Sequence, residues 1–190
     1  MKDLIHLHKN FDKVIYTGQN VSSREFENCI FKNCDFSNTA FLSCSFLDCE
    51  FTDCNLSMLG LTGTSVKNVI FKNCKVLGIA FHTCTDFLFE VNFENCMLDF
   101  TSFAHKKMPK TRFINCSLKE TSFAGTVLKQ AVFDQCDLER AVFNDADLSG
   151  CDFTTASNYQ INPENTILKK ARFGLQGIPG LLAQYDIKIF

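Results

Sequence analysis

The sequence predicts an all-β solenoid in which the chain turns a corner every five residues and closes a square coil in four such units. Three observations predict it. A large apolar residue returns at every fifth position, through Phe26, Phe31, Phe36, Phe41, Phe46, Phe51, Leu56, Leu61, Val66, Phe71, Val76 and Phe81. A small residue, usually Cys, Thr, Ala or Val, stands two places before each of them. Every fourth large residue is a phenylalanine: Phe11, Phe31, Phe51, Phe71, Phe93, Phe113, Phe133, Phe153 and Phe173. A period of five matches neither a helix nor a plain strand. Each unit therefore directs two side chains inward and three outward.

The beat stops near Asp86 and resumes two residues out of phase, through Leu88, Phe93, Leu98, Phe103, Met108 and Phe113 to Phe153, with Leu168 and Phe173 keeping the second phase. Without that shift the phenylalanine column would run into Val91, Thr111 and Ala131. The second column carries Tyr16, Phe36, Leu56, Val76, Leu98, Leu118 and Leu138. The third carries Val21, Phe41, Leu61, Phe81, Phe103, Phe123 and Phe143. The fourth carries Phe26, Phe46, Val66, Leu88, Met108, Leu128, Leu148 and Leu168. Coils spaced like neighbouring strands, ~4.8 Å apart, give about eight turns and a rod of ~38 Å. Phe31, Phe51, Phe71, Phe93, Phe113, Phe133 and Phe153 form the expected core stack. Stacked rings account for the 21 Phe of the chain.

A solenoid needs covered ends. Residues 1–8 are expected to cap the first coil with Leu4, Ile5 and Leu7, and the β-helix to span 9–175. An irregular segment at 156–165, ASNYQINPEN, interrupts it. The tail, 176–190, is expected to cap the last coil with a short helix near 179–184. It carries more apolar side chains than one cap needs: Ile178, Leu181, Leu182, Tyr185 and Phe190. A twofold homodimer through this end follows.

The 190 residues hold 19 basic and 21 acidic side chains, a net charge of −2. That balance argues against a generic nucleic-acid binder and against a strongly acidic imitation of one. No apolar run reaches the roughly 18 residues of a membrane span. The start, MKDLIHLHKNFDK, lacks the apolar stretch of a secretion signal, so a soluble cytoplasmic protein is expected. The 11 Cys fall in the small inward slot. Their five-residue spacing comes from the repeat, so it does not point to a metal cluster, and they are expected as buried free thiols. His6 and His8, and His82 and His105, are expected as solvated surface residues. GLQGIPG at 174–180 lacks the strand–helix context of a phosphate loop. Inward slots filled with Phe, Leu and Cys leave no cavity for chemistry, so no enzyme activity and no cofactor are expected.

Units such as CDFSN at 34–38, CDLER at 136–140 and ADLSG at 146–150 resemble the pentapeptide repeat family. The resemblance covers roughly residues 9–175 and implies a right-handed quadrilateral β-helix, commonly dimeric through a C-terminal cap. FENCIFKNCDFSNTAF at 26–41, CNLSM at 54–58 and VLGIAF at 76–81 are similar to the quinolone-resistance (Qnr) subgroup. That similarity implies a protein partner, DNA gyrase or topoisomerase IV, and fluoroquinolone protection by a rod that imitates duplex DNA. Here acidic and basic residues alternate on the Phe wall, and the long loops of many Qnr relatives are reduced to two extra residues.

Two walls stand out as candidate docking surfaces. The third carries Ala40, Leu42, Thr62, Ala80, His82, Ala104 and Ala124, with no Asp, Glu, Lys or Arg outward from Ala40 to Val142. The fourth is irregular and locally basic: Phe87 and Phe89 lie at the phase break, and Lys107, Pro109 and Lys110 follow one coil later. Lys106 stands in a slot meant for a small residue, where its burial is expected to be costly, and Pro109 cannot donate to a ladder. The function expected is non-enzymatic protein binding, with gyrase or topoisomerase IV as the implied partner. The alternative is a structural scaffold docking through the uncharged or the basic wall.

Overall fold

The fifth position of each unit makes the corner. In a computed structural model, which describes residues 4–188, that position takes the left-handed conformation again and again: φ is 51° at Asn28, 53° at Asn33, 50° at Asn68 and 53° at Asn95. Asn tolerates this region better than most residues, which is why it recurs there. Between corners run strands of two to four residues, all paired in parallel with the coil before and after.

The result is a parallel β-solenoid of about eight turns. Its longest sheet is the Phe wall, nine strands from Asn10–Asp12 to Arg172–Phe173. Register pairs Phe with Phe: Phe31 with Phe51, Phe71 with Phe93, Phe93 with Phe113. The two extra residues are absorbed between Phe71 and Phe93 without loss of register. Rings stack along the column, for example Phe31 on Phe51 at 4.5 Å and 7° and Phe93 on Phe113 at 5.4 Å and 7°. Across a corner they meet edge to face, as Phe93 and Phe103 do at 5.9 Å and 70°. Both geometries are favoured by the ring quadrupole. The seven expected core phenylalanines are all buried.

The eleven cysteines are free and buried. Where the small inward slot holds Cys or Thr, its side chain commonly also bonds a carbonyl. Cys54 Sγ donates to Phe31 O at 3.4 Å and Cys74 Sγ to Phe51 O at 3.4 Å. Thr39 Oγ1 donates to Tyr16 O at 2.6 Å and Thr64 Oγ1 to Phe41 O at 2.8 Å. Cys and Thr are thus interchangeable answers to one requirement, a small side chain with a polar hydrogen.

Four expectations are corrected. Residues 5–7 are not a cover: Ile5–Leu7 is the first strand, paired with Glu25–Glu27, while Leu4, Ile5 and Leu7 face solvent. His6 is not a surface residue; it fills the inward slot five before Phe11 and stacks on Phe26 at 4.8 Å. Leu88 does not continue the fourth column; it is exposed, and Phe89 turns inward in its place. The tail is helical as expected, but its segments are 3-10 and lie at Leu175–Leu181 and Ala183–Tyr185, with Pro179 inside the first, instead of one helix over 179–184.

At 156–165 the chain repeats the device seen at Phe89. The beat falls on Asn158, and Tyr159 one place later is buried against the stacked Phe153 and Phe173, 5.7 Å from each ring. Ile161 is buried beside it. Gly177 and Gly180 lie so close over Tyr159 that a Cβ at either would collide with it. Leu181 packs on the core, Leu182 is half-buried, and Leu175, Ile178, Tyr185 and Ile187 are exposed. Phe190 and residues 1–3 lie outside the described residues. No helix among the described residues is long and apolar enough to cross a membrane.

Candidate functional site

The third wall is brought together as the sequence predicts. Ala40 pairs with Gly60, and Ala80, Ser102, Ser122 and Val142 follow one another in register. Leu42, Thr62 and His82 are exposed; Ala80, Ala104 and Ala124 are half-buried. The His82 ring Nδ1 lies 3.0 Å from Ser102 Oγ, and the His105 ring covers Gly125. No group of three or more His, Cys, Asp or Glu capable of holding a metal occurs among the described residues.

The fourth wall is ordered differently. Its sheet runs Ile5–Leu7, Glu25–Glu27, Ser45–Leu47, Ser65–Lys67 and stops. The next coil crosses this wall as a turn with Phe87 and Leu88 at its tip. Phe87 is 79% exposed and Leu88 50%. Phe89 then turns back into the core.

The detour deprives one carbonyl of its ladder donor. On the two preceding walls the coil step spans the extra residues normally: Met97 N donates to Cys74 O at 3.0 Å, and Ser102 N to Ile79 O at 2.9 Å. At Cys84 the Lys106 ammonium donates instead, at 2.5 Å. The same ammonium lies 2.7 Å from Asp86 Oδ1 and 5.1 Å from the centre of the Phe89 ring. Lys106 is 1% exposed and Asp86 83%. The expected penalty for Lys106 is therefore met by a carbonyl, a carboxylate and an aromatic face. The lysine holds the Asp86 carboxyl below the usual carboxylate range.

Pro109 also proves harmless to the ladder. Met108 N bonds Val127 O at 2.9 Å and Lys110 N bonds Lys129 O at 2.8 Å. The position between them has no ladder bond to lose; at the equivalent Ser149 the N–H goes to the Asp147 side chain, at 3.1 Å.

Beside the turn lies a trough of about 430 Å³ along the corner between the fourth and first walls. Its lining is apolar at Leu88, Phe89, Val91 and Pro109, basic at Lys67, Lys107 and Lys110, and acidic at Asp86 and Glu90. Pro109 also borders a second hollow of about 450 Å³, between Lys129, Lys169 and Lys170 over Ser149 and Gly150. The structure thus brings Phe89, Lys107, Pro109 and Lys110 together in the lining of the trough, while Phe87 stands exposed at the tip of the turn beside it. The sequence reading missed that Lys106 is its anchor. The signal was present, since Lys106 stands one coil step after Asp86.

On the other walls several charges are paired with each other. Lys72 pairs with Glu50 at 2.9 Å, Lys119 with Asp137 and Glu139 at 3.0 Å each, and Arg172 with Asp152 at 2.5 Å. The Asn corner ladder is also internal: Asn73 donates to Asp53, Asn95 to Asn73 and Asn115 to Asn95, at 3.1, 3.2 and 2.8 Å.

A filled square solenoid with outward-facing walls and one interrupted face defines a β-solenoid repeat protein. The family model of the pentapeptide repeat region matches residues 24–86 and 87–173, dividing at the phase break, and the chain belongs to the pentapeptide repeat family. Among solved structures it is similar to QnrB1, described as a plasmid-mediated fluoroquinolone resistance protein. A trypsin-treated form matches at TM-score 0.68 and 17% identity, covering 95% of this chain and 100% of that one. Full-length QnrB1 matches at TM-score 0.55 and 18% identity, covering 96% and 100%. HetL, a pentapeptide repeat protein involved in heterocyst differentiation regulation in the cyanobacterium Nostoc sp. strain PCC 7120, has TM-score 0.42 and 13% identity, covering 90% and 89%. No curated protein sequence matches the chain.

Proposed function

We propose that the chain is a non-enzymatic protein-docking module that presents the Phe87–Leu88 turn to its partner. One observation carries this reading: a phenylalanine left almost wholly in water, at the tip of a turn that Lys106 pins to the rod. Large aromatic side chains in that position are what interfaces use as anchors. A second copy of the chain is the expected companion, through the exposed Leu175, Ile178, Tyr185 and Ile187 of the C-terminal end.

DNA gyrase or topoisomerase IV is the first partner to test, because the fold is similar to that of QnrB1. Docking through the turn accords better with the charges than imitation of duplex DNA does, since Glu50, Asp137, Glu139 and Asp152 already pair with cations. The test is direct binding of the purified chain to purified gyrase and topoisomerase IV, with a supercoiling assay in ciprofloxacin. Binding that is lost on Phe87→Ser with Leu88→Ser supports the reading. No binding to either enzyme overturns the topoisomerase assignment. Binding unchanged by the double substitution overturns the turn as the contact.

The uncharged third wall supports a second reading, a scaffold that packs a flat partner against Ala80, Ala104 and Ala124. Ala104→Arg would abolish that contact and leave the turn untouched.

A further inference from the structure

We infer that the corner between the fourth and first walls, from Lys67 to Lys170, is a docking strip for an extended acidic peptide segment bearing apolar side chains. The inference deepens the docking reading and rests on it for the choice of a protein partner. Lys67, Lys107, Lys110, Lys169 and Lys170 make no salt bridge among the described residues, unlike Lys129, which pairs with Asp147 at 3.2 Å, and Lys106. Of the carboxylates along this corner, Asp86 and Asp147 are engaged by lysine and Glu90 makes no salt bridge. A chain of net charge −2 therefore concentrates five uncommitted cations on one edge.

The shape agrees with the charge. The two hollows share Pro109 and so adjoin along this corner. The second is lined by Ser149 and Gly150 together with Lys129, Lys169 and Lys170. From the coil of Lys67 to that of Lys169 is five steps, or ~24 Å at strand spacing, which an extended segment of about seven residues spans. The exposed Leu88 and Pro109 offer apolar surface that side chains of a peptide can cover and that a polyphosphate backbone would leave unused. That feature favours a peptide over a nucleic acid.

The test uses a fluorescein-labelled peptide of about twelve residues, glutamates interrupted by two leucines, titrated with the full chain and followed by anisotropy. The expected result is saturable binding that weakens as salt rises from about 50 to about 200 mM. Lys110→Glu with Lys170→Glu should weaken it by about tenfold or more. Lys75→Glu, an exposed lysine on the second wall, should change it less than twofold. Circular dichroism melts report whether each variant is folded; Lys110→Gln and Lys170→Gln singly replace the double variant if it is not. Absence of saturable binding, or equal weakening by Lys75→Glu, overturns the strip. So does tighter binding of a duplex DNA of about twelve base pairs. Because the strip variants leave Phe87 and Leu88 intact, such a failure stands apart from failure of the turn to bind its partner.

Discussion

Lys106 and Asp86 meet across one coil step with nitrogen and oxygen 2.7 Å apart, and only the lysine is out of water. The asymmetry decides what each contributes. Lys106 supplies the donor that Cys84 O lost to the two-residue detour. Asp86 neutralises the ammonium from the solvent side, where water can take its place. Lys106→Met keeps the aliphatic stem and removes the donor, so it should cost about 2 kcal/mol. Asp86→Ala should cost about 1 kcal/mol or less, given its exposure. Urea unfolding of the two variants measures the order. A larger loss for Asp86→Ala would mean that the ion pair, not the orphaned carbonyl, holds the turn.

The same pair has a pH signature. Asp86 is held low first by the hydrogen bond from Lys106, Glu50 by that from Lys72, and Asp35 by that from the Ser37 hydroxyl. A carboxyl whose folded pKa is depressed contributes stability that is present above its unfolded value, about 4, and lost as pH falls through the folded value. Melting temperature should therefore hold between neutral pH and about 5 and fall below about 4. Asp86→Asn should shallow that acid limb and leave the neutral plateau little changed. An unaltered limb would show that Asp86 is not part of it.

Phe113 lies in the middle of the stack, 5.4 Å from Phe93 and 4.9 Å from Phe133, with edge contacts to Phe103 and Phe123. Phe113→Ala opens a cavity that two neighbouring coils cannot close, and should cost about 3–5 kcal/mol. Phe113→Leu, which fills most of the space, should cost less. Thermal and urea unfolding check both; an unchanged midpoint for Phe113→Ala would contradict the stack.

The column that holds Phe113 was legible because one physical rule, five residues per side, repeats without interruption on that wall. Legibility ended where the rule did. Leu88 and Asn158 occupy the beat on paper, yet Phe89 and Tyr159 point inward, since a turn that has left the ladder places whichever apolar residue reaches the core. His6 was missed because a polar residue stood on the beat; its ring stacks as a phenylalanine would. Lys106 looks costly in the sequence because its partners come from two separate properties, the Asp86 side chain and an unpaired carbonyl, and only the fold brings them together. The basic residues of the fourth wall could be counted from the repeat, but the hollow beyond Pro109 could not, since Ser149 and Gly150 line it as small residues between long neighbours.

The corners offer the last prediction. Phe100 adopts φ 62° at a fifth position and is 62% exposed, while its N–H donates to Lys119 O at 2.9 Å. Its ring adds little to the core, yet its backbone carries the left-handed penalty of about 1–2 kcal/mol that Asn partly avoids. Phe100→Asn keeps the backbone bond and relaxes that penalty, so it should stabilise the chain by about 0.5–1 kcal/mol, read as a rise in the unfolding midpoint. The ordinary corners at Asn95 and Asn115 serve as the reference, because Asn95→Phe and Asn115→Phe should move the midpoint the other way and also break the Asn73–Asn95–Asn115 ladder. A fall in stability for Phe100→Asn would mean that the exposed ring makes a contact worth more than the strain it imposes, and would mark the second wall, where Met97 is also 45% exposed, as a surface shaped by a partner.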